Sequence, residues 1–122
     1  MGSFTFRKEE RLCSKISIQE LFDKGSSFYL YPFKVLFLEG KPDSTVNQVL
    51  FTVSKRNFKR AVDRNKIKRR MREAYRLNKS QLSTPQTLLI GYIYTPKEIL
   101  PYSQIAEGII KSFKRLDNGK KD

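Results

Sequence analysis

Apolar and polar positions change period several times along this 122-residue chain, and each change marks an element. Ser17-Ile18-Gln19-Glu20 has the form of a capping box, with Ser17 as N-cap and Glu20 three positions on. It opens a short helix whose apolar residues are Ile18, Leu21 and Phe22, and Gly25 ends it. From Phe33 to Glu39 the period is two: Phe33, Val35 and Phe37 alternate with Lys34, Leu36 and Leu38. After the turn-prone Gly40-Lys41-Pro42-Asp43-Ser44, the alternation resumes over Gln48 to Ser54, so the two strands are predicted to form a hairpin. The period then becomes helical over roughly Phe58 to Asn78, where Ile67, Met71, Ala74 and Tyr75 fall on one stripe at i, i+4, i+7 and i+8. Ser80 to Gln86, with Pro85, reads as an exposed connection. Thr87 to Tyr94 is a near-continuous apolar run between Pro85 and Pro96, the pattern of a strand covered on both faces. A last helix, starting near Pro101 to Ser103, carries the stripe Ile105, Ile109, Phe113 and Leu116, and Asn118 to Asp122 reads as a frayed tail.

The order α-β-β-α-β-α predicts an α/β fold, a single-domain two-layer sandwich over residues 1–122 with its core in about 7–116. A chain of this length fills one modest core and leaves no room for a second domain. A helix joining two parallel neighbouring strands is ordinarily a right-handed crossover.

Charge changes the picture. Residues 55–79 hold twelve of the 25 Lys and Arg and only two of the 12 acids, Asp63 and Glu73, so +10 of the net +13 sits in one segment. Opposite the apolar stripe, Asn65, Arg69, Arg72 and Arg76 recur at i, i+4, i+7 and i+11, with Lys68 on the flank. Each cation placed near a phosphate releases condensed counterions, and the planar guanidinium fork matches phosphate and base edges, so the row points to a nucleic-acid partner. The alternative is a solvated helix face. Such a face usually mixes Glu with Lys in i, i+4 pairs, and Glu73 alone is available for that.

Absent residue types narrow the chemistry. There is no His and a single Cys, Cys13, which excludes an internal disulfide, a Cys/His zinc site and His-based acid–base catalysis. The acids are scattered, with no pair spaced as in a metal-dependent nuclease site. The N-terminal fifteen residues mix charged and polar groups without an apolar h-region, so no secretory signal is expected. The longest apolar run falls far short of the roughly 20 residues that cross a bilayer, and the chain reads as cytoplasmic, with no membrane partner. It reads as a binding subunit rather than a self-contained catalyst.

The run Ala61 to Arg76 resembles the signature helix of the bacterial ribonuclease P protein subunit, an Arg-Asn pair, two residues, Lys-Arg, two residues, Arg. All five fixed positions are present, as Arg64, Asn65, Lys68, Arg69 and Arg72, and Val53-Ser54-Lys55-Arg56 resembles the family's strand end. The resemblance implies a left-handed crossover at the basic helix. It implies as partners a catalytic RNA, which uses Mg²⁺ held mainly by RNA, and precursor tRNA, whose 5′ leader is removed by hydrolysis. The five signature residues, with Arg60 and Arg76, are then expected to touch the catalytic RNA. A cleft between the first helix and the sheet is expected to take the leader, with Phe22, Lys55, Arg56 and Arg11 as its candidates. Ile18 stands where a second aromatic would be expected, and Phe22 has core packing as its alternative. Which parity of the Phe33–Glu39 strand faces the cleft stays open.

Two other classes compete. One is a ribosomal-type RNA-binding structural protein on the same fold, against which the signature at 53–76 speaks. The other is an independent carboxylate nuclease, against which the scatter of acids speaks.

Overall fold

A computed structural model describes residues 8–40, 46–82 and 87–118. A 3₁₀ turn at Lys8–Glu10 precedes α1 (Lys15–Lys24), β1 (Ser26–Leu30), β2 (Phe33–Glu39), β3 (Gln48–Val53), α2 (Ala61–Asn78), a second 3₁₀ turn (Lys79–Gln81), β4 (Leu88–Tyr94) and α3 (Tyr102–Asn118). The strands lie in one sheet in the order β1-β2-β4-β3, with β3 parallel to β4 and the other neighbours antiparallel. The turn-prone segment at 41–44, most of the 80–86 connection and the tail beyond Asn118 lie outside the described residues.

The α/β sandwich is as expected, but its order gains a strand: α-β-β-β-α-β-α. Ser26–Leu30 is short, and Ser26-Ser27 behind Gly25 reads as loop, so its pairing with β2 was not visible in the pattern. The expected hairpin between β2 and β3 is absent. β2 pairs with β1 across Tyr31-Pro32, whose peptide bond is cis, and β4 lies between β2 and β3. The physical reason is hydrophobicity: Leu88 to Tyr94 is apolar on both sides, and the centre of the sheet is where both sides are covered.

Two helix starts also differ. The first helix begins a turn earlier, with Ser14 as N-cap, its hydroxyl accepting from the Ser17 amide at 3.3 Å, so the Ser17–Glu20 capping box does not form. The basic helix starts at Ala61 instead of Phe58. Phe58 is buried in the preceding turn, and Arg60 is an extended N-cap.

On one face of the sheet α2 and α3 pack over Phe33, Val35, Val49, Phe51, Ile90 and Tyr92, and all four members of the predicted stripe on α2 are buried there. So are Ile105, Ile109, Phe113 and Leu116 of α3. Each large aliphatic or Phe side chain among them contributes about 1.5–3 kcal/mol on removal from water. Gly108 lets α3 lie on the β1–β2 turn, since a Cβ there would stand 2.7 Å from Pro32 Cδ. The other face carries α1, through a smaller cluster of Leu12, Leu21, Leu36 and Leu89. Here Gly91 gives Leu21 its seat: a Cβ on Gly91 would lie 3.1 Å from Leu21 Cδ2.

Polar groups inside this packing are paired. Tyr92 donates to Ser112 Oγ at 2.6 Å, and Ser112 donates to the Ile109 carbonyl at 2.6 Å. The Tyr94 hydroxyl donates to the Glu98 carbonyl and accepts from the Leu100 amide, fixing the strand-to-α3 connection. Glu10 and Lys79 form a largely buried ion pair at 2.7 Å, tying the first turn to the end of α2.

Burial pushes the Tyr92 phenol far above its ordinary pKa of 10.0, with Ser112 opposing, and pushes Tyr75 up likewise, with the Glu10 charge adding to it. Because the folded chain holds both phenols neutral where the unfolded chain ionises them, their stabilising contribution is complete below pH 10 and is lost as pH rises above it. Each should steepen the loss by up to about 1.4 kcal/mol per pH unit. In urea titrations at pH 8 and pH 10.7, Tyr92→Phe should cost about 1 kcal/mol at pH 8 through its lost hydrogen bond, yet decline less steeply on the alkaline side. An alkaline limb as steep as that of the parent would mean that Tyr92 ionises in the folded state.

Candidate nucleic-acid interface

The buried stripe of α2 leaves its opposite side to the predicted row. Asn65 and Arg69 are exposed, Arg72 and Arg76 are half-buried, and Lys68 flanks them half-exposed. Arg72 sits in a crowd of like charge. Its pKa is lowered first by partial burial, then by Arg11 and by Arg69. Arg11 reaches this position because its segment bridges Val49 on the edge strand β3, with the Leu12 amide donating to the Val49 carbonyl at 3.1 Å. The family resemblance places Arg11 among the leader-cleft candidates; in the fold its charge also acts on Arg72 of the basic helix.

Not every arginine of the segment is presented alike. Arg64 lies on the shoulder of the buried stripe, where Nη1 donates to the Phe58 carbonyl at 2.8 Å and the Lys59 carbonyl at 3.0 Å, fastening the turn that precedes α2. Arg70, absent from the candidate residues, donates from Nη1 to the Leu100 carbonyl at 2.6 Å and fixes α2 to the start of α3. Arg76 is held by Glu73, Nη2 to Oε2 at 2.6 Å and Nε to Oε1 at 3.3 Å. Arg60 stands exposed at the helix N-cap. These commitments depend on folded carbonyl positions, for which sequence spacing carries no signal.

The second candidate surface is the sheet face that α1 covers in part. Lys34, Leu36 and Leu38 point to this side, since Leu36 packs with Leu21 and Leu89, while Phe33 and Val35 belong to the opposite core. That settles the parity of β2. Phe22 is 46% exposed beside the fully buried Leu21, which removes the core alternative for Phe22. Next to the row that Leu21 seats upon, register aligns Tyr29, Lys34, Ile93 and Thr52 across the four strands. Tyr29 and Lys34 are exposed, and Ile93 and Thr52 are half-buried, which gives an apolar floor edged by an aromatic ring and a cation. Lys55 and Arg56, both exposed, follow β3 at that end of the sheet, where Ser54 Oγ accepts from the Arg56 amide at 3.0 Å. Tyr29 was missed with its strand; Lys34, a charge inside an alternating apolar run, was the readable signal. Among the described residues no three His, Cys, Asp or Glu come together in a metal-binding group.

Fold and site together define a small α/β sandwich whose basic helix is braced by a buried stripe and presents hydrogen-bond donors on its opposite side. A sequence model of the family described as Ribonuclease P matches residues 6–117. The Ribonuclease P protein component of Petrotoga mobilis is 32% identical over 124 aligned positions, covering 96% of this chain and 99% of that one. Its counterpart from Porphyromonas gingivalis is 40% identical over 83, covering 67% of this chain and 61% of its own length. Among solved structures, the Staphylococcus aureus RNase P protein superposes with a TM-score of 0.75 at 26% identity, covering 88% of this chain and 94% of that chain. The Thermotoga maritima protein gives 0.73 at 27%, covering 87% and 96%. The chain belongs to the ribonuclease P protein component family.

Crowding at Arg72 has a measurable consequence. Arg69→Gln should leave stability unchanged or raise it by up to about 0.5 kcal/mol, the scale of exposed charge pairs, with the gain larger at 20 mM than at 300 mM salt. Urea midpoints at the two salt concentrations check this. A salt-independent loss of stability would place Arg69 in a structural contact rather than in a repulsive row.

Proposed function

We propose that this chain is the protein subunit of a ribonuclease P ribonucleoprotein. In this reading it binds the catalytic RNA through the outward row of α2 and the 5′ leader of precursor tRNA through the partly open sheet face beside α1. The observation that carries the proposal is the coincidence of the family signature with the presented side of α2: Asn65 and Arg69 are exposed and Arg72 half-buried, on a helix whose reverse side is buried without exception along its stripe.

The mechanism is one of affinity and positioning. A net charge of +13 lowers the repulsion between two large polyanions, and the guanidiniums of Arg69 and Arg72 can each dock a phosphate through paired donors. Arg64 acts at one remove, by holding the turn that fixes where α2 begins. In the leader groove, Phe22 and Tyr29 offer faces for unstacked bases, and Lys34, Lys55 and Arg56 offer cations for leader phosphates. No described group supplies a general base of the His type or a carboxylate cluster suited to Mg²⁺, so we assign Mg²⁺ and the hydrolytic step to the RNA. The complex works where precursor tRNA is made, in the cytoplasm; no described helix is long and apolar enough to cross a membrane.

Reconstitution tests this. Protein added to a bacterial catalytic RNA and precursor tRNA should lower the Mg²⁺ needed for cleavage, and protein freed of RNA should cleave nothing at any Mg²⁺ concentration. Phe22→Ala should weaken precursor binding about fivefold or more, the scale of one lost base stack, while binding of mature tRNA barely changes. Leu21→Ala, emptying a fully buried site, should instead cost about 2–5 kcal/mol of stability. Cleavage by RNA-free protein, or equal weakening for precursor and mature tRNA in a folded Phe22→Ala protein, would contradict the proposal.

A further inference from the structure

Glu73 is an acid in the midst of the basic row, and its geometry is specific. Helical steps of about 100° per residue place it close to Arg69 four positions before it and Arg76 three positions after it. It pairs with Arg76, both carboxylate oxygens accepting from that one guanidinium. The order of acid before base along the helix is the favourable one, and Arg69 has the opposite order. Tyr102, at the start of α3, stands against the same pair: its phenol pKa is raised first by burial, then by Glu73, while Arg76 lowers it. The other acid of α2, Asp63, lies apart in the first turn.

We propose that Glu73 is a discriminating residue of this interface, one that withholds Arg76 from bare phosphate and accepts a hydrogen bond from a 2′-hydroxyl of bound RNA. This rests on the reading of α2 as the RNA-facing helix. An ionised carboxylate only accepts hydrogen bonds, and its two oxygens have about four lone-pair sites. Arg76 occupies part of that capacity, and the Glu73 side chain remains 46% exposed, which leaves the carboxylate in reach of a further donor from solvent. A DNA backbone presents acceptors alone, which this carboxylate repels. An RNA backbone adds a hydroxyl that donates, which it can take. Thus Arg69 and Arg72 supply affinity for either polyanion, while the Glu73–Arg76 pair favours RNA.

Two substitutions separate charge from acceptor. Glu73→Gln removes the charge and keeps an acceptor oxygen; Glu73→Met removes both, and all three residue types suit a helix. The probes are an RNA duplex and a DNA duplex of one sequence, with affinity followed by fluorescence anisotropy at 150 mM salt. Either variant should bind DNA about fivefold more tightly, the gain from roughly one added phosphate contact at that salt concentration. Glu73→Gln should gain equally on RNA and keep the preference for RNA. Glu73→Met should gain less than about twofold on RNA, so its preference should shrink more than about twofold, since it has lost the acceptor that the 2′-hydroxyl needs. Equal preference in the two variants would overturn the acceptor role, and unchanged DNA affinity would overturn the withholding of Arg76. Binding of the parent protein to catalytic RNA, measured alongside, keeps the two readings apart: its absence would overturn the RNA-facing helix itself.

Discussion

Everything at the proposed RNA surface depends on one constraint: like charges can be lined up on a helix only if something else holds the helix in place. α2 has its core anchors in Ile67, Met71, Ala74 and Tyr75, all buried against the sheet and α3. Their burial, at about 1.5–3 kcal/mol for each large side chain, exceeds the repulsion among Arg11, Arg69 and Arg72, which is moderated by water. Arg72 carries the mark of this placement: its pKa is lowered first by partial burial and then by Arg11 and Arg69.

Secondary fasteners set the angle at which the row is shown. Arg64 ties the beginning of α2 to the turn after β3, Arg70 ties its middle to the Leu100 carbonyl, and Lys79 ties its end to Glu10. Arg64, Arg70 and Lys79 are thereby committed to internal partners and Arg76 to Glu73, while Arg60, Lys66 and Arg69 are exposed. Basic residues in this segment therefore divide by angle around the helix: those within reach of the core brace it, and those opposite face solvent.

Much of this was legible in the sequence because period reports burial directly. The stripe of α2, the stripe of α3 and the doubly covered strand at Leu88–Tyr94 follow from spacing alone, and so does the outward row. What spacing cannot express is pairing. β1 escaped because five residues beginning Ser-Ser carry little alternation, and the hairpin expected between β2 and β3 failed because register and strand order are decided by which strand most needs the centre. The cap at Ser14 won over Ser17 although the latter had the better local motif, a case of tertiary placement overriding a short pattern. At the interface, the anchoring of Arg64 and Arg70 and the arrival of Arg11 beside Arg72 depend on chain segments distant in sequence or on carbonyls with no residue signature.

The central claim is that the outward row of α2, and not diffuse positive charge, holds the RNA. The most direct measurement is the salt dependence of binding to catalytic RNA for the parent protein and for Arg69→Ala combined with Arg72→Ala. With folding verified by circular dichroism, the logarithmic slope should become shallower by about one to two units, the share of two phosphate contacts. An unchanged slope in a folded double variant would contradict the account.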